Sequence, residues 1–188
     1  MIEATEQDKS QLIKILRNSF KDNGSVNYVI NPKGDKDKRI EALMDYSINM
    51  CMAYGEVFMN ESKTACALLL HPEQKKSNLI WDLQLVFRVI GLSRVFKVLQ
   101  RESKINSFHP KELNSFFYLW FIGVDTSSQH QGYGSELLTE VIDYAKQNKR
   151  DLYLETSTLR NLPWYQKHGF QIYKELSFAS TLYMLSMK

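Results

Sequence analysis

The sequence predicts an α/β protein with a mixed central sheet flanked by helices. Three observations predict it. Stretches of helical period alternate with short apolar runs along the chain. Residues 115–124, SFFYLWFIGV, are almost continuously apolar, as a strand buried on both faces requires. One helix-length stretch separates that run from the next at 151–156, which leaves room for a right-handed crossover. At 188 residues the chain has the length of one domain, and residues 1–188 are taken as one.

The elements follow in order. A short strand is expected at the start. Thr5-Glu6-Gln7-Asp8 then has the form of a capping box, and Leu12, Ile13, Leu16 and Phe20 follow at helical spacing. Asn23-Gly24 and Asn31-Pro32 mark loops. A second helix carries Ile40, Leu43, Met44, Ile48, Cys51 and Met52. Tyr54–Met59 and Thr64–Leu70 read as strands, joined by a hairpin at Asn60-Glu61-Ser62. His71-Pro72 ends the second of them. One long helix is expected over Leu79–Arg101, and a polar loop through His109-Pro110 leads to the apolar strand. Ser135–Asn148 is helical, with Leu137, Leu138, Val141, Ile142 and Ala145 on one stripe. Asp151–Thr156 is a strand, Leu162–Lys167 a short helix, and two strands close the chain.

Composition excludes several classes of function. With 44% hydrophobic and 12% aromatic residues, the chain does not read as disordered. Its 24 basic and 21 acidic side chains leave a formal charge of only +3, so no nucleic-acid partner is expected. Cys51 and Cys66 make no CxxC and no disulfide framework, which favours reduced thiols and a cytoplasmic location. Glu3, Glu6, Asp8 and Lys9 precede any apolar run, unlike a secretory signal. The most apolar stretch contains Asp82, Arg88, Arg94 and Lys97, so it is not read as spanning a membrane, and no membrane partner is expected.

Chemistry concentrates in residues 121–135, FIGVDTSSQHQGYGS. A buried strand stops at Val124, a polar turn follows, and two glycines open a helix. Glycine removes side chains where a backbone must approach something closely. The first amides of a helix have no partner within it, and the positive end of its dipole points the same way. Together these form a site for a phosphate or pyrophosphate. Gly132-x-Gly134 alone is also what an ordinary turn into a helix looks like. No Lys-Ser or Lys-Thr pair follows, which excludes a P-loop, and no third glycine completes a dinucleotide fingerprint.

Gln129-x-x-Gly132-x-Gly134 after that strand resembles the acetyl-CoA signature of the GNAT superfamily of N-acetyltransferases. Tyr165-x-x-x-Gly169-Phe170 resembles the superfamily's second hallmark. The stretch from Leu154 to Phe170 (LETSTLRNLPWYQKHGF) is similar to the branch containing puromycin N-acetyltransferase. The resemblance is sharp over 116–170 and elsewhere extends only to the order of elements. It implies the GNAT acyl-CoA N-acyltransferase fold, with an extra long helix inserted before the central strand.

The resemblance implies roles residue by residue. The backbone of Ile122, Gly123 and Val124 would pair with the pantetheine arm of acetyl-CoA. The amides of His130, Gln131, Gly132, Tyr133, Gly134 and Ser135 would hold its pyrophosphate, with Gln129 part of the same signature. Strand 151–156 would splay from its neighbour and leave a wedge for the thioester. The Val124 amide would donate to the developing oxyanion, and Tyr165 would protonate the departing thiolate. A half-buried structural tyrosine is the other reading of Tyr165, and Gly169-Phe170 downstream favours the acid. Glu155, sharing a strand face with Tyr153, is the candidate base; a structural or substrate-orienting carboxylate is the other reading. His109 and His71 are further base candidates. Where the commoner pattern has an asparagine seven residues before the tyrosine, this chain has Thr158. Asn161 either contacts the cofactor or caps the short helix, and Arg160 reaches a phosphate or solvent.

Trp81, Phe87 and Phe96 would wall an acceptor pocket, or their helix simply packs on the sheet; an interfacial helix with Arg88, Arg94, Lys97 and Arg101 outward is a third reading. The expected activity is transfer of acetyl from acetyl-CoA, as co-substrate and without a metal, to a primary amine of a small molecule. A protein N-terminus or lysine is the alternative acceptor, and a non-catalytic acyl-CoA sensor the alternative class. A monomer or a homodimer is expected.

Overall fold

The computed structural model describes residues 1–188, Leu113 through its backbone alone. β1 (Ile2–Glu3) leads to α1 (Lys9–Phe20), which buries Leu12, Ile15 and Leu16. The capping box forms: the Thr5 amide and hydroxyl each donate to Asp8 Oδ2 at 3.0 Å. The loop expected at Asn23-Gly24 is instead the start of α2 (Gly24–Val29). Asn23 accepts from the amides of Ser25 and Val26 at 3.0 and 3.1 Å, so a turn residue acts as an N-cap. α3 (Lys36–Tyr54) follows, then the hairpin of β2 (Gly55–Met59) and β3 (Ala65–Leu70). Its turn is pinned by the Asn60 side chain, which accepts from the Thr64 and Ala65 amides.

The helix expected over 79–101 is broken. α4 (Leu79–Leu85) runs into a wide turn at Val86–Ile90, reverses at Gly91, and resumes as α5 (Val95–Asn106). Gly91 has φ +77°, and an added Cβ there would lie 2.4 Å from Asn31 Nδ2. The break is therefore a backbone conformation that L side chains rarely adopt, wedged against a residue far away in sequence.

β4 (Phe116–Val124), α6 (Tyr133–Gln147), β5 (Asp151–Thr156), α7 (Leu162–Lys167), β6 (Gln171–Ser177) and β7 (Thr181–Met187) complete the chain. The strands form one sheet in the order β1-β2-β3-β4-β5-β7-β6, as the mixed α/β class requires. Only β4 and β5 are parallel; every other neighbouring pair is antiparallel.

Two apolar layers sandwich the sheet. On one face α1, α3 and the inner sides of α4 and α5 cover Val57, Leu68 and Phe121. On the other, α6 and α7 cover Leu69, Phe117, Leu119 and Leu154. Cys51 and Cys66 are completely buried, and burial pushes both thiols well above their ordinary range. Alternation along β4 slips once. Leu68 pairs with Phe121 but Leu69 with Leu119, so Trp120 has no partner of its own. This bulge turns Trp120 and Phe121 toward the same layer, and the strand end is re-aimed beyond it.

Candidate active site

β4 and β5 pair over only three positions, Phe116–Tyr118 with Asp151–Tyr153. Beyond Tyr118 they part. β4 stays paired with β3 as far as Val124, and β5 stays paired with β7 as far as Thr156. Two strand edges therefore diverge in the middle of the sheet. The Asp125 amide donates to the Thr64 carbonyl at 2.7 Å, on the β3 side. By the alternation of an antiparallel ladder, the amides of Ile122 and Val124 then point to the parted side, while Gly123 faces β3. α1 fixes this end: Ser19 Oγ donates to the Val124 carbonyl at 2.8 Å, and a Cβ on Gly123 would meet Ser19 at 3.0 Å.

The turn beyond Val124 carries the signature residues. Asp125 accepts from the Ser127 amide and hydroxyl, which hold its carboxyl below the usual range. The side chains of Gln129 and Gln131 fold back onto the carbonyls of Val124 and Ser127. His130 and Gly132 both have positive φ, +63° and +91°. Ser135 and Glu136 donate to the Gly132 carbonyl and close the first turn of α6. The amides of Gly132, Tyr133 and Gly134 have no acceptor among the described residues. Nothing lies within 4 Å of a Cβ built on Gly132. A loop that presents free amides around an open, side-chain-free position fits a phosphate.

The second glycine does something different. A Cβ on Gly134 would sit 3.2 Å from Val124 Cγ2 and 3.8 Å from Trp164. Gly134 lets α6 settle against the end of β4, and the clearance it provides is toward protein. Trp164, which the sequence did not single out, donates from Nε1 to Ser135 Oγ at 2.8 Å and ties α7 to this turn. Its position beside Tyr165 was the only available signal.

Tyr165 and Glu155 lie on opposite faces of the sheet. Tyr165 belongs to the layer under α6 and α7, stacked obliquely on Trp164 and edge-on to Phe170. Burial raises its phenol well above the ordinary value, and its hydroxyl has no hydrogen bond to the described residues. Leu154 shares Tyr165's layer, so its neighbour Glu155 faces the other side, toward α5. There Glu155 accepts a very short hydrogen bond from the Tyr118 hydroxyl. His109 Nε2 lies 2.8 Å from Glu155 Oε1, a close contact without the alignment of a hydrogen bond. His109 stacks on Phe116, and its Nδ1 is buried without a partner among the described residues. Burial first, and the Glu155 charge second, hold the Tyr118 phenol protonated. Neither Tyr118 nor the His109 contact was legible as a triad in the sequence, because their separations of 37 and 46 positions from Glu155 carry no local pattern.

The remaining candidates lie elsewhere or have other partners. His71 meets Glu56 at 2.5 Å and Gln74 at 3.1 Å and stacks on Phe117, beyond the paired end of β4. Both of its nitrogens are engaged, so it is not brought to the site. Asn161 stands at the start of α7 but makes no capping hydrogen bond. Thr158 accepts from Asn23, and Arg160 is exposed. Of the three aromatics expected to wall an acceptor pocket, Phe96 is 79% exposed, Phe87 borders an open hollow with Ile13, Arg39 and Arg88, and Trp81 lines a small cavity with Tyr46 and Leu85, on the α3 side and not between the parted strands. Arg101, which the interfacial-helix reading turned outward, is buried between the rings of Tyr28 and Phe178 and donates to Ser25.

Residues 88–170 match the model of the acetyltransferase (GNAT) family. Solved structures share the fold. A histone acetyltransferase HPA2 and related acetyltransferase from Corynebacterium glutamicum is 20% identical, with 98% of this chain and 93% of that chain covered and a TM-score of 0.75. The C-terminal condensation domain of Ebony, in complex with β-alanyl-dopamine, is 11% identical, with 98% and 96% covered and a TM-score of 0.73. Arylalkylamine N-acetyltransferase 2 from Aedes aegypti is 14% identical, with 98% and 96% covered and a TM-score of 0.65.

Proposed function

We propose that this chain, built on the GNAT acetyltransferase fold, is an N-acetyltransferase that moves acetyl from acetyl-CoA to a primary amine of a small molecule. The observation that carries the reading is the parting of β4 from β5 beside a turn of free amides. That turn offers donors to the pyrophosphate at Gly132, Tyr133 and Gly134, with His130, Gln131 and Ser135 around them. The unpaired strand edge at residues 122–124 offers the Ile122 amide to the pantetheine arm and leaves the Val124 amide for the thioester. Acetyl-CoA supplies the activated acyl carbonyl.

The residues of the chain do the rest. Glu155 takes the proton of the incoming amine on the α5 face, directly or through water. Tyr118 and His109 hold its carboxylate in one orientation. The Val124 amide donates to the carbonyl oxygen as charge builds there. Tyr165, on the opposite face, keeps its proton at neutral pH because burial disfavours the phenolate, and it delivers that proton to the sulfur. Acid and base thus bracket the parted strands from either side. The preference for a small molecule rests on the likeness of 154–170 to the puromycin N-acetyltransferase branch.

The test is release of free CoA thiol over a panel of small amines and peptides. Turnover with small amines supports the reading. Turnover confined to peptide N-termini or lysines replaces the acceptor, and acetyl-CoA binding without turnover for any amine identifies a sensor.

A further inference from the structure

The outer side of α4 and α5, turned away from the parted strands, shows a composition that the proposed acetyl transfer does not use. Leu79, Ile80, Phe87, Leu92, Phe96 and Leu99 are between 60% and 79% exposed. They lie along the outer side of α4 and α5 and the turn between them. The inner side of the same segment is fixed: Val89, Ile90 and Val98 are 4% exposed or less and belong to the main core. The outer residues cannot rotate inward without pulling that side out of the core. A segment apolar on both sides, with one side facing out, is suited to a medium less polar than water.

The exposed charges of the segment itself have one sign, and the acids beside Phe87 and Arg88 on the neighbouring α3 end, Asp35, Glu41 and Asp45, pair with Lys38, Arg17 and Lys9. From Lys75 to Asn106 the exposed charged residues are Lys75, Lys76, Arg88, Lys97 and Lys104. The two acids in the stretch are engaged: Asp82 accepts from Tyr46 and Ser77, and Glu102 pairs with Arg101. No described helix is long and apolar enough to cross a bilayer. A second copy is a poor occupant, because a two-fold contact would set this basic rim against itself.

We propose that the outer side of α4 and α5 is a docking surface for an anionic phospholipid bilayer, with Phe87, Leu92 and Phe96 entering the interface and Arg88 and Lys97 meeting headgroup phosphates. This replaces the expectation that the protein has no membrane partner. It stands independently of acetyl transfer, since none of these residues belongs to the site above. The arrangement also differs from a helix with Arg94 and Arg101 outward, since Arg94 donates to the Tyr28 carbonyl and Arg101 is buried.

The purified full chain is floated with vesicles of phosphatidylcholine alone and of phosphatidylcholine with phosphatidylglycerol. The expected result is flotation with the anionic vesicles only, weakened by high salt. Phe87→Ser combined with Phe96→Ser, and separately Arg88→Glu combined with Lys97→Glu, should each reduce the bound fraction roughly tenfold while leaving Tm within a few degrees. Failure to float with either vesicle overturns the proposal, as do variants that bind like the parent. A concentration-dependent dimer that the Phe87→Ser and Phe96→Ser pair dissolves also overturns it, in favour of self-association.

Discussion

Tyr165 combines burial with a hydroxyl that bonds to nothing in the described protein. The oxygen is not among the side-chain atoms sealed away without a partner, so it opens to solvent or to a ligand. Removing the hydroxyl should therefore cost little stability, because no partner is stranded. Tyr165→Phe is expected to retain its Tm and its CoA affinity while kcat falls about 100-fold, the usual scale of a lost general acid. Steady-state rates beside calorimetric titration check this, and an unchanged kcat removes Tyr165 from the mechanism. In the proposed mechanism His109 bears on the amine only by positioning Glu155, whose Oε1 lies 2.8 Å from its Nε2. His109→Gln should then lower kcat while KM and Tm stay close to those of the parent, checked by steady-state rates beside thermal unfolding. A rate loss accompanied by a matching fall in Tm would mean that His109 merely supports the fold.

Among the elements, legibility followed locality. The apolar run of β4, the capping box before α1 and the stripe of α6 are each written within a few consecutive residues, and each forms where expected. What escaped depends on distant partners. Gly91 breaks the 79–101 helix against Asn31, sixty positions earlier in the chain, and nothing adjacent to Gly91 announces it. Trp120 is bulged because β3 shifts register opposite it, which periodicity in β4 alone cannot reveal. The turn of free amides was legible as a candidate anion site, whereas Glu155 was legible only as a lone acid on a strand. Gly91→Ala should destabilise the protein by about 1–2 kcal/mol, measured by urea unfolding, through its positive φ. Asn31→Ala would clear the contact without rescuing it; full rescue would assign the effect to crowding instead. Gly134→Val should push the first turn of α6 away from Val124. Displacing the turn by even a fraction of an ångström should weaken CoA binding roughly tenfold or more by calorimetry. Unchanged affinity would place the phosphates elsewhere.

Across the whole molecule, the sheet is continuous except where its two parallel strands separate. Each face of that separation belongs to a different apolar layer. The Tyr165 side is closed by α6 and α7 and the Glu155 side by α5 and the loop carrying His109, and beneath α6 one apolar cluster runs unbroken from β2 and β3 to β5 and β7. The same sandwich seals both cysteines. Each thiol is fully enclosed and its ionisation is suppressed, so neither can act as a nucleophile in the native protein. A colorimetric disulfide reagent added to the folded chain should therefore return a blank, and two equivalents of colour should appear only after denaturation. That silence would give the proposed thiol-release assay a clean background: any thiol counted would come from released coenzyme, and drift in a substrate-free control would report unfolding.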